Sequence, residues 1–553
     1  GLSNNFQKLN RKIMKKINLL YSISLFLLIC ACKKQQVEPE TKVLVKNEKG
    51  MVTKASIDSY ITSTMKANND FKWAYANDEI VWSALNQSDK ILSIGYKPAG
   101  WTSTDVTTNI QTIDIQSQQW QEIRKQILQL VWEEEQKSRP NLKIEDLEVW
   151  PEKYLPVVCV SAQNLSTIKK LRQSPLVRYA EPIGYHYTAE PQNHGGNELQ
   201  SIIGFGCSGA SAYSSDLLPG IDYNLISPLA KASWNYTHHN IQSGWNLSSG
   251  KGIKVMVIDT GCSLSQENLN GSFNQGESFG RTVEHLVTLP RTTIFDHPYG
   301  PNETPQDICG HGTEMSGIVA GPRGINGSAC GIAYNCDLVT VRAAEDVIFS
   351  ESREAKGVAD AFNMAANRAD IKIISMSMGY PFYISQVADA VKNAADHGKL
   401  IFCAAGTSSK WTNWAWVAFP ASMPVVNGVT GIQDNLKVRC DICHEGPQVD
   451  FVVVMEKGNN KLKVLSLAMS GVSPSITGGS SAATASMAGM AAMVWSKFPD
   501  KSAVDILGIL KASSVNPDNN PNWGYGFLKV DIALGINQPG AVRHISQPIA
   551  STW

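Results

Sequence analysis

Along the second half of this chain, short apolar runs alternate with amphipathic segments. IKVMVI (253–258), LVTVRA (338–343), IKIISMS (371–377) and KLIFCAA (399–405) are apolar almost throughout. Residues 354–368 and 384–397, between the later runs, carry helical periodicity. Strands that are apolar on every residue are buried on both faces, and alternation with helices predicts a parallel sheet. VDFVVVM (449–455) adds a further short strand. The pattern predicts a doubly wound α/β domain over residues 230–540, large enough for a substantial core. Reactive groups in such folds collect at the carboxyl ends of the strands.

The first half has a different rhythm. ILSIGYK (91–97) reads as a strand. Trp120, Ile123, Ile127, Leu130 and Val131 recur at helical spacing, which predicts a helix over 117–138, closed off by Pro140. LEVW (147–150) and LPVVCV (155–160) are strand-like. LSTIKKLRQS is a short helix that Pro175 helps to end, and LVRYAEPIGYHY returns as a strand. The order β-α-β-β-α-β is the split, ferredoxin-like arrangement, within an α+β unit at 53–187. Residues 53–90 form its helical lead-in. Residues 188–229 are rich in Gly, Ser, Asn and Pro, as in HGGNELQ and GFGCSGASAYSSDLLPG. They read as a linker with a processing site.

The start of the chain reads as an address. Met14-Lys15-Lys16 is followed by INLLYSISLFLLIC and then Ala31-Cys32-Lys33-Lys34. A basic start, a short apolar stretch and a small residue at its end describe a signal peptide over 1–32, with 1–13 as an upstream extension. Ile29-Cys30-Ala31-Cys32 resembles a bacterial lipobox, which makes Cys32 the expected lipidation site. The bland alternative is a plain secretory peptide cut nearby. The polar, Lys/Glu-rich residues 33–52 suit a tether, and 541–553 a tail. The expectation is an exported lipoprotein of the bacterial cell envelope.

Charge narrows the partners. With 49 basic and 49 acidic residues in 553, nothing points to nucleic acid or an anionic membrane face. The only expected contact with a membrane is the N-terminal lipid. Of 11 cysteines, nine remain beyond the signal peptide, so at least one is unpaired within the monomer, and the sequence does not give the pairing. Cys440-Asp-Ile-Cys443-His444 matches the c-type haem attachment motif, but it is single, and chance occurrence is the favoured reading.

Three polar clusters sit where the fold wants chemistry. Asp259 ends a strand and precedes Thr260-Gly261. His311 lies in CGHGTEMSGIVAG, where a loop turns into a helix of small residues. Ser481 lies in TGGSSAATASMAG, at the start of another such helix. Singly, each has a bland reading: a turn former, a loop histidine, an N-cap. Together, VIDTG, GHGTEMSGIVAG and GGSSAATASMAG resemble the three active-site motifs of subtilisin-like serine proteases, in that family's chain order. The α/β-hydrolase pattern GxSxG is absent, because Gly479-Ser480-Ser481-Ala482-Ala483 ends in alanine. The lead-in WNLSSGKGIKVMVIDTG and the close NWGYGFLKVDIAL extend the likeness over about 230–540. The unit from 91 to 187 resembles the family's propeptide, ending in SPLVRYAEP.

The resemblance implies a zymogen of a serine endopeptidase. Ser481 would attack the peptide carbonyl, His311 would take its proton, and Asp259 would hold the imidazole. The backbone N–H of Ser481 would be one oxyanion donor. The second donor of the family is an asparagine, and the matching segment Ala404-Ala405-Gly406 ends in Thr407, a shorter, β-branched donor. Asn413 in the following loop is another candidate. Ala485 replaces the proline after the nucleophile, and Gly331-Ile-Ala-Tyr334 replaces GVAP. The resemblance places substrate-binding groups at Ser377, Met378, Gly379 and Tyr380 and at Ala404, Ala405 and Gly406, with an extended peptide pairing to a strand edge. Cys262 and Cys309 flank the site in sequence and read as packing residues or as oxidation-sensitive thiols.

The expected partners are a peptide or protein substrate and the chain's own propeptide as inhibitor. No cofactor is implied, and no Asp/Asn cluster has the spacing for the structural calcium common in the family. Cutting within the linker would release the catalytic domain from its anchor. The competing reading is a catalytically weakened relative that binds peptides without cutting, and Thr407 is its support.

Overall fold

A computed structural model of the chain describes residues 44–188, 207, 209–294, 297–407 and 417–535. The signal peptide with Cys32, linker residues 189–206 and 208, Asn413 and the tail lie outside the described residues. No helix among those described is long and apolar enough to cross a membrane.

The N-terminal unit opens with two helices, Lys54–Asn68 and Asp78–Asn86. Thr53 and Asn77 cap them, the Asn77 Oδ1 accepting from the Ile80 N–H at 2.9 Å. Strands Ile91–Tyr96, Glu148–Trp150, Val157–Ser161 and Val177–Pro182 follow, with helices Gln118–Glu135 and Leu165–Gln173 between them. The first strand lies between the third and the fourth, and the second pairs outside the third. Every pairing is antiparallel.

The larger unit is built on a nine-stranded sheet. From one edge its order is Ser514–Val515, Gly526–Leu528, Val449–Glu456, Asn427–Gln433, Leu400–Ala404, Ile371–Met376, Lys254–Asp259, Asp337–Arg342 and Val283–Val287. All neighbours are parallel except the first pair. From Lys254–Asp259 the chain builds outward on one side through Asp337–Arg342, then crosses to Ile371–Met376 on the other. That reversal opens a crevice beyond the strand ends, between Asp259 and Ser377. Helices Gly479–Lys497 and His311–Ala320 pack on each other and on the sheet. Small residues allow this: a Cβ on Gly312 would meet the Gly261 carbonyl oxygen at 2.2 Å.

Helices Ser352–Ala366 and Ser385–Asp396 form a second pair and carry the N-terminal sheet. Ser93 Oγ donates to Gln386 Oε1 at 2.7 Å, and Glu181 Oε1 accepts the N–H of Ser385 at 2.8 Å. Arg178 and Asp389, and Lys356 and Glu152, are ion pairs buried across this boundary. Phe71 and Trp73 stand edge-on to Phe382, with centroids 4.9 and 6.0 Å away. The lead-in therefore supplies rings that seal the junction. One apolar core runs unbroken from Val52 to Leu534.

Candidate active site

Asp259 ends its strand with its side chain fully buried. Its Oδ1 accepts the N–H of Thr260 at 2.8 Å and lies 2.7 Å from Nδ1 of His311. His311 is the first residue of helix His311–Ala320 and is 5% exposed. Burial alone would lower the imidazole pKa; the Asp259 carboxylate more than reverses this and raises it to about 9. The buried Glu314, one turn on, adds to the rise, and burial holds its own carboxyl up at about 7.

A further carboxylate, missed in the sequence, sets the loop. Asp307 is fully buried, and its Oδ1 accepts from the Gly310 N–H at 2.7 Å and the Thr260 hydroxyl at 3.0 Å. Its Oδ2 accepts from the N–H and hydroxyl of Thr313 at 2.9 and 2.7 Å. Thr260 Oγ1 in turn accepts the Gly312 N–H at 2.9 Å. The backbone that presents His311 is thus tied by Asp307 within itself, and through the Thr260 hydroxyl to the strand end that presents Asp259. The signal was a short one: an acidic residue four positions before the histidine.

Ser481 is the third residue of helix Gly479–Lys497, and it is partly exposed. Its hydroxyl donates to the Ser377 carbonyl at 3.2 Å, and the Ser377 hydroxyl donates back to the Ser481 carbonyl at 3.0 Å. No hydrogen bond joins Ser481 and His311. The Ser481 N–H, in the first helical turn, has no acceptor among the described residues.

Thr407 sits one residue away from the serine. Its Oγ1 accepts the Ser480 N–H at 3.2 Å and lies 2.8 Å from Ser480 Oγ, which accepts from the Gly406 N–H at 3.2 Å. Gly479 has φ +73°, and a Cβ there would stand 2.9 Å from Thr407 Oγ1. Thr407 and the Gly479 turn are therefore fitted to each other. If Ser480 donates in the hydroxyl pair, the Thr407 proton is free to point into the crevice.

The expected substrate edge is engaged with the chain itself. The Gly379 N–H donates to the Val347 carbonyl at 2.9 Å. Met378 and Tyr380 are core residues, and the Tyr380 hydroxyl donates to the Tyr185 carbonyl of the N-terminal unit. Ala405 bonds through its N–H to Val429 and through its carbonyl to Ala418, at 2.9 and 2.7 Å, and the Gly406 carbonyl accepts the His444 N–H at 2.9 Å. Ala404 is 5% exposed. Of the candidate residues, Ser377 and Gly406 reach the serine segment, and Met378, Tyr380 and Ala405 support from behind.

The cysteines pair as Cys207–Cys309 and Cys440–Cys443, with Cys262 a buried free thiol. Among the described residues, no group of three or more His, Cys, Asp or Glu side chains could hold a metal ion.

The profile of the Subtilase family matches residues 250–527. The major intracellular serine protease of Bacillus subtilis (strain 168) is 33% identical over 159 residues, 28% of this chain and 43% of that protein. The chain thus spans less than half the length of this relative. Subtilisin DY of Bacillus licheniformis is 26% identical over 288 residues, 51% of this chain and 91% of that protein. Among solved structures, MycP1 from Mycobacterium smegmatis is similar at 19% identity and a TM-score of 0.43, over 59% of this chain and 92% of that one.

Proposed function

The chain belongs to the subtilase family, and on that premise we propose that it is an exported serine endopeptidase made as a zymogen. Its large, mostly parallel sheet is that of a subtilisin-like α/β fold. Asp259, His311 and Ser481 are its catalytic residues in this reading. The observation that carries it is the buried 2.7 Å contact between Asp259 Oδ1 and His311 Nδ1. It leaves Nε2 as the basic nitrogen, at the base of a crevice beside a serine on a helix N-terminus.

The reaction follows from those groups. Ser481 turns from the Ser377 carbonyl toward His311 Nε2, gives up its proton and attacks the peptide carbonyl. Asp259 stabilises the imidazolium, which then protonates the departing amine. The Ser481 N–H receives the oxyanion, with the Thr407 hydroxyl as second donor. Water repeats the sequence on the acyl-enzyme. An extended peptide would displace Val347 from Gly379 to gain the strand edge.

Residues 53–187 act as the propeptide in this reading, with a ferredoxin-like fold. Its strand order and its docking on two helices of the larger unit support this. Processing within 188–229 separates it from the catalytic domain of 230–540. Cys32 carries the lipid, so the precursor is held at the cell envelope and the processed domain is released.

A fluorophosphonate probe tests the central claim. It should label wild-type protein at Ser481, and Ser481→Ala should neither label nor process its N-terminal unit. Failure of the wild type to label under conditions that remove the N-terminal unit would sink the reading.

A further inference from the structure

Cys207 and the residues from Gly209 onward lie beside the His311 loop. Cys207 is bonded to Cys309, two residues before that histidine. The Gly209 N–H donates to the Cys309 carbonyl at 3.1 Å. The Ala210 carbonyl accepts the Met469 N–H at 2.9 Å, and the Tyr213 N–H donates to the Pro474 carbonyl at 2.8 Å. Ala210 is 2% exposed and lies so close to Gly310 that a Cβ there would meet its methyl at 2.7 Å.

These contacts join two arms. One runs from Asp307 to Thr313 and presents His311. The other runs from Met469 through strand Pro474–Thr477 to Ser481. Deeper down the arms already meet, where Ser466 Oγ donates to the Glu314 carbonyl at 2.5 Å. Nearer the surface the Thr313 hydroxyl points to Met469 Sδ at 3.7 Å, and beside Gly310 a second link is made by Cys207 and residues 209–213, which belong to neither arm. Asp307 holds Gly310 from the inside, and Ala210 presses on it from the outside.

We propose that Cys207 and residues 209–213 are a clasp that positions the His311 arm against the Ser481 arm, and that its Cys207–Cys309 bond is a site of thiol exchange that opens it. The proposal rests on the protease reading for its effect on rate, though not for the clasp itself. Cys207 is exposed and Cys309 is 5% exposed, so an external thiol reaches the Cys207 sulfur. Its thiolate attacks Cys207 Sγ, and Cys309 leaves as a thiolate and takes up a proton. A second thiol then frees Cys207 from the mixed disulfide. In sum, one protein disulfide and two thiols give two cysteine thiols and one external disulfide. A cut anywhere between 188 and 207 leaves the clasp in place, so proteolysis and reduction act on it independently.

The test uses the full chain, processed by itself, and a chromogenic peptide. Graded dithiothreitol should lower kcat at least fivefold with KM within twofold, and shift the acid limb of the pH profile. Reoxidation should restore both. Cys207→Ser should start low and ignore thiol. Unchanged kcat on reduction, a loss confined to KM, or a Cys207→Ser protein that still responds to thiol would each overturn the clasp. Hydrogen exchange covers the case of an unstable variant: the amides of Gly209, Tyr213 and Met469 should exchange at least tenfold faster in reduced wild type, and equal protection refutes the idea. If no form labels at Ser481 while those amides respond as stated, the protease reading fails and the clasp stands.

Discussion

Arg178 grips Asp389 with both terminal guanidinium nitrogens, at 2.8 and 2.9 Å, and neither side chain is more than 4% exposed. The pair sits between the N-terminal sheet and helix Ser385–Asp396. Tyr179 also donates to Asp389, at 3.1 Å. Removing one partner leaves a buried charge without compensation, at a cost of about 3–5 kcal/mol. Arg178→Ala should therefore lower the urea midpoint of the unprocessed chain markedly. Arg178→Met with Asp389→Leu should recover much of the loss. Equal losses in the single and double variants would contradict this.

Glu181 makes the same junction sensitive to pH. Burial raises its pKa from 4.5 to about 7, although the Ser385 N–H favours the anion. Asp389 nearby adds to the rise and Arg172 opposes it. A carboxyl raised on docking destabilises the docked state once the free form ionises. The penalty begins near pH 4.5, grows with rising pH and levels off above about 7. Its full size is roughly 3 kcal/mol. The N-terminal unit should thus leave more readily at pH 8 than at pH 5 after processing. Glu181→Gln should flatten that dependence, as size-exclusion chromatography across the range would show.

His311 is raised to about 9, so two opposite pH effects share one group. Its stabilising contact with Asp259 is complete below about pH 6.5 and fades as pH rises through 9. The neutral imidazole that a base requires grows over that same interval. Hydrolysis should therefore climb well above neutrality, with kcat/KM bending near pH 9. Asp259→Asn should cut kcat by about 10⁴-fold, the size of loss this role carries in serine proteases. Glu314→Gln removes a carboxylate that supports the imidazolium and should move the bend to lower pH. A bend left in place would exclude that coupling.

With Thr407 as the proposed second oxyanion donor, its substitution should change turnover rather than affinity. Thr407→Asn restores the longer amide donor and should raise kcat; loss of such a donor costs about 10²–10³ in a subtilisin, a magnitude carried over here. Thr407→Val keeps the shape without the hydroxyl. It loses the bonds to Ser480 and should lower kcat roughly tenfold. Steady-state kinetics showing no gain for Thr407→Asn would remove this threonine from the oxyanion site.

Much of the fold could be read in advance because its period was clean. Ile371–Met376 and Leu400–Ala404 are apolar at every position except Lys372 and Ser375, so their boundaries fall within two residues of those expected. Asp259, His311 and Ser481 stand at element ends, where a strand stops or a helix of small residues begins. What stayed hidden depends on distance in sequence. The Cys207–Cys309 bond spans 102 residues. Asp307 looks like any loop aspartate until four hydrogen bonds converge on it. Tyr380 and Met378 carry no mark separating a pocket wall from a core residue, and the structure places both in the core. The resting bond from Ser481 to Ser377 depends on a side-chain rotation that no motif encodes.

The aromatic seal has one more consequence. Phe71, Trp73 and Tyr185 cover Phe382 and Tyr380 from the N-terminal side, and all five rings are almost dry. If the covering unit departs, Tyr187, which also stands against Phe382, leaves with it, and Phe382 is turned toward water. A freed enzyme would be sticky there, prone to self-association or to adhesion on the apolar surfaces it meets. If the N-terminal unit is the inhibitor proposed above, releasing it and staying dispersed are competing demands on the same few side chains.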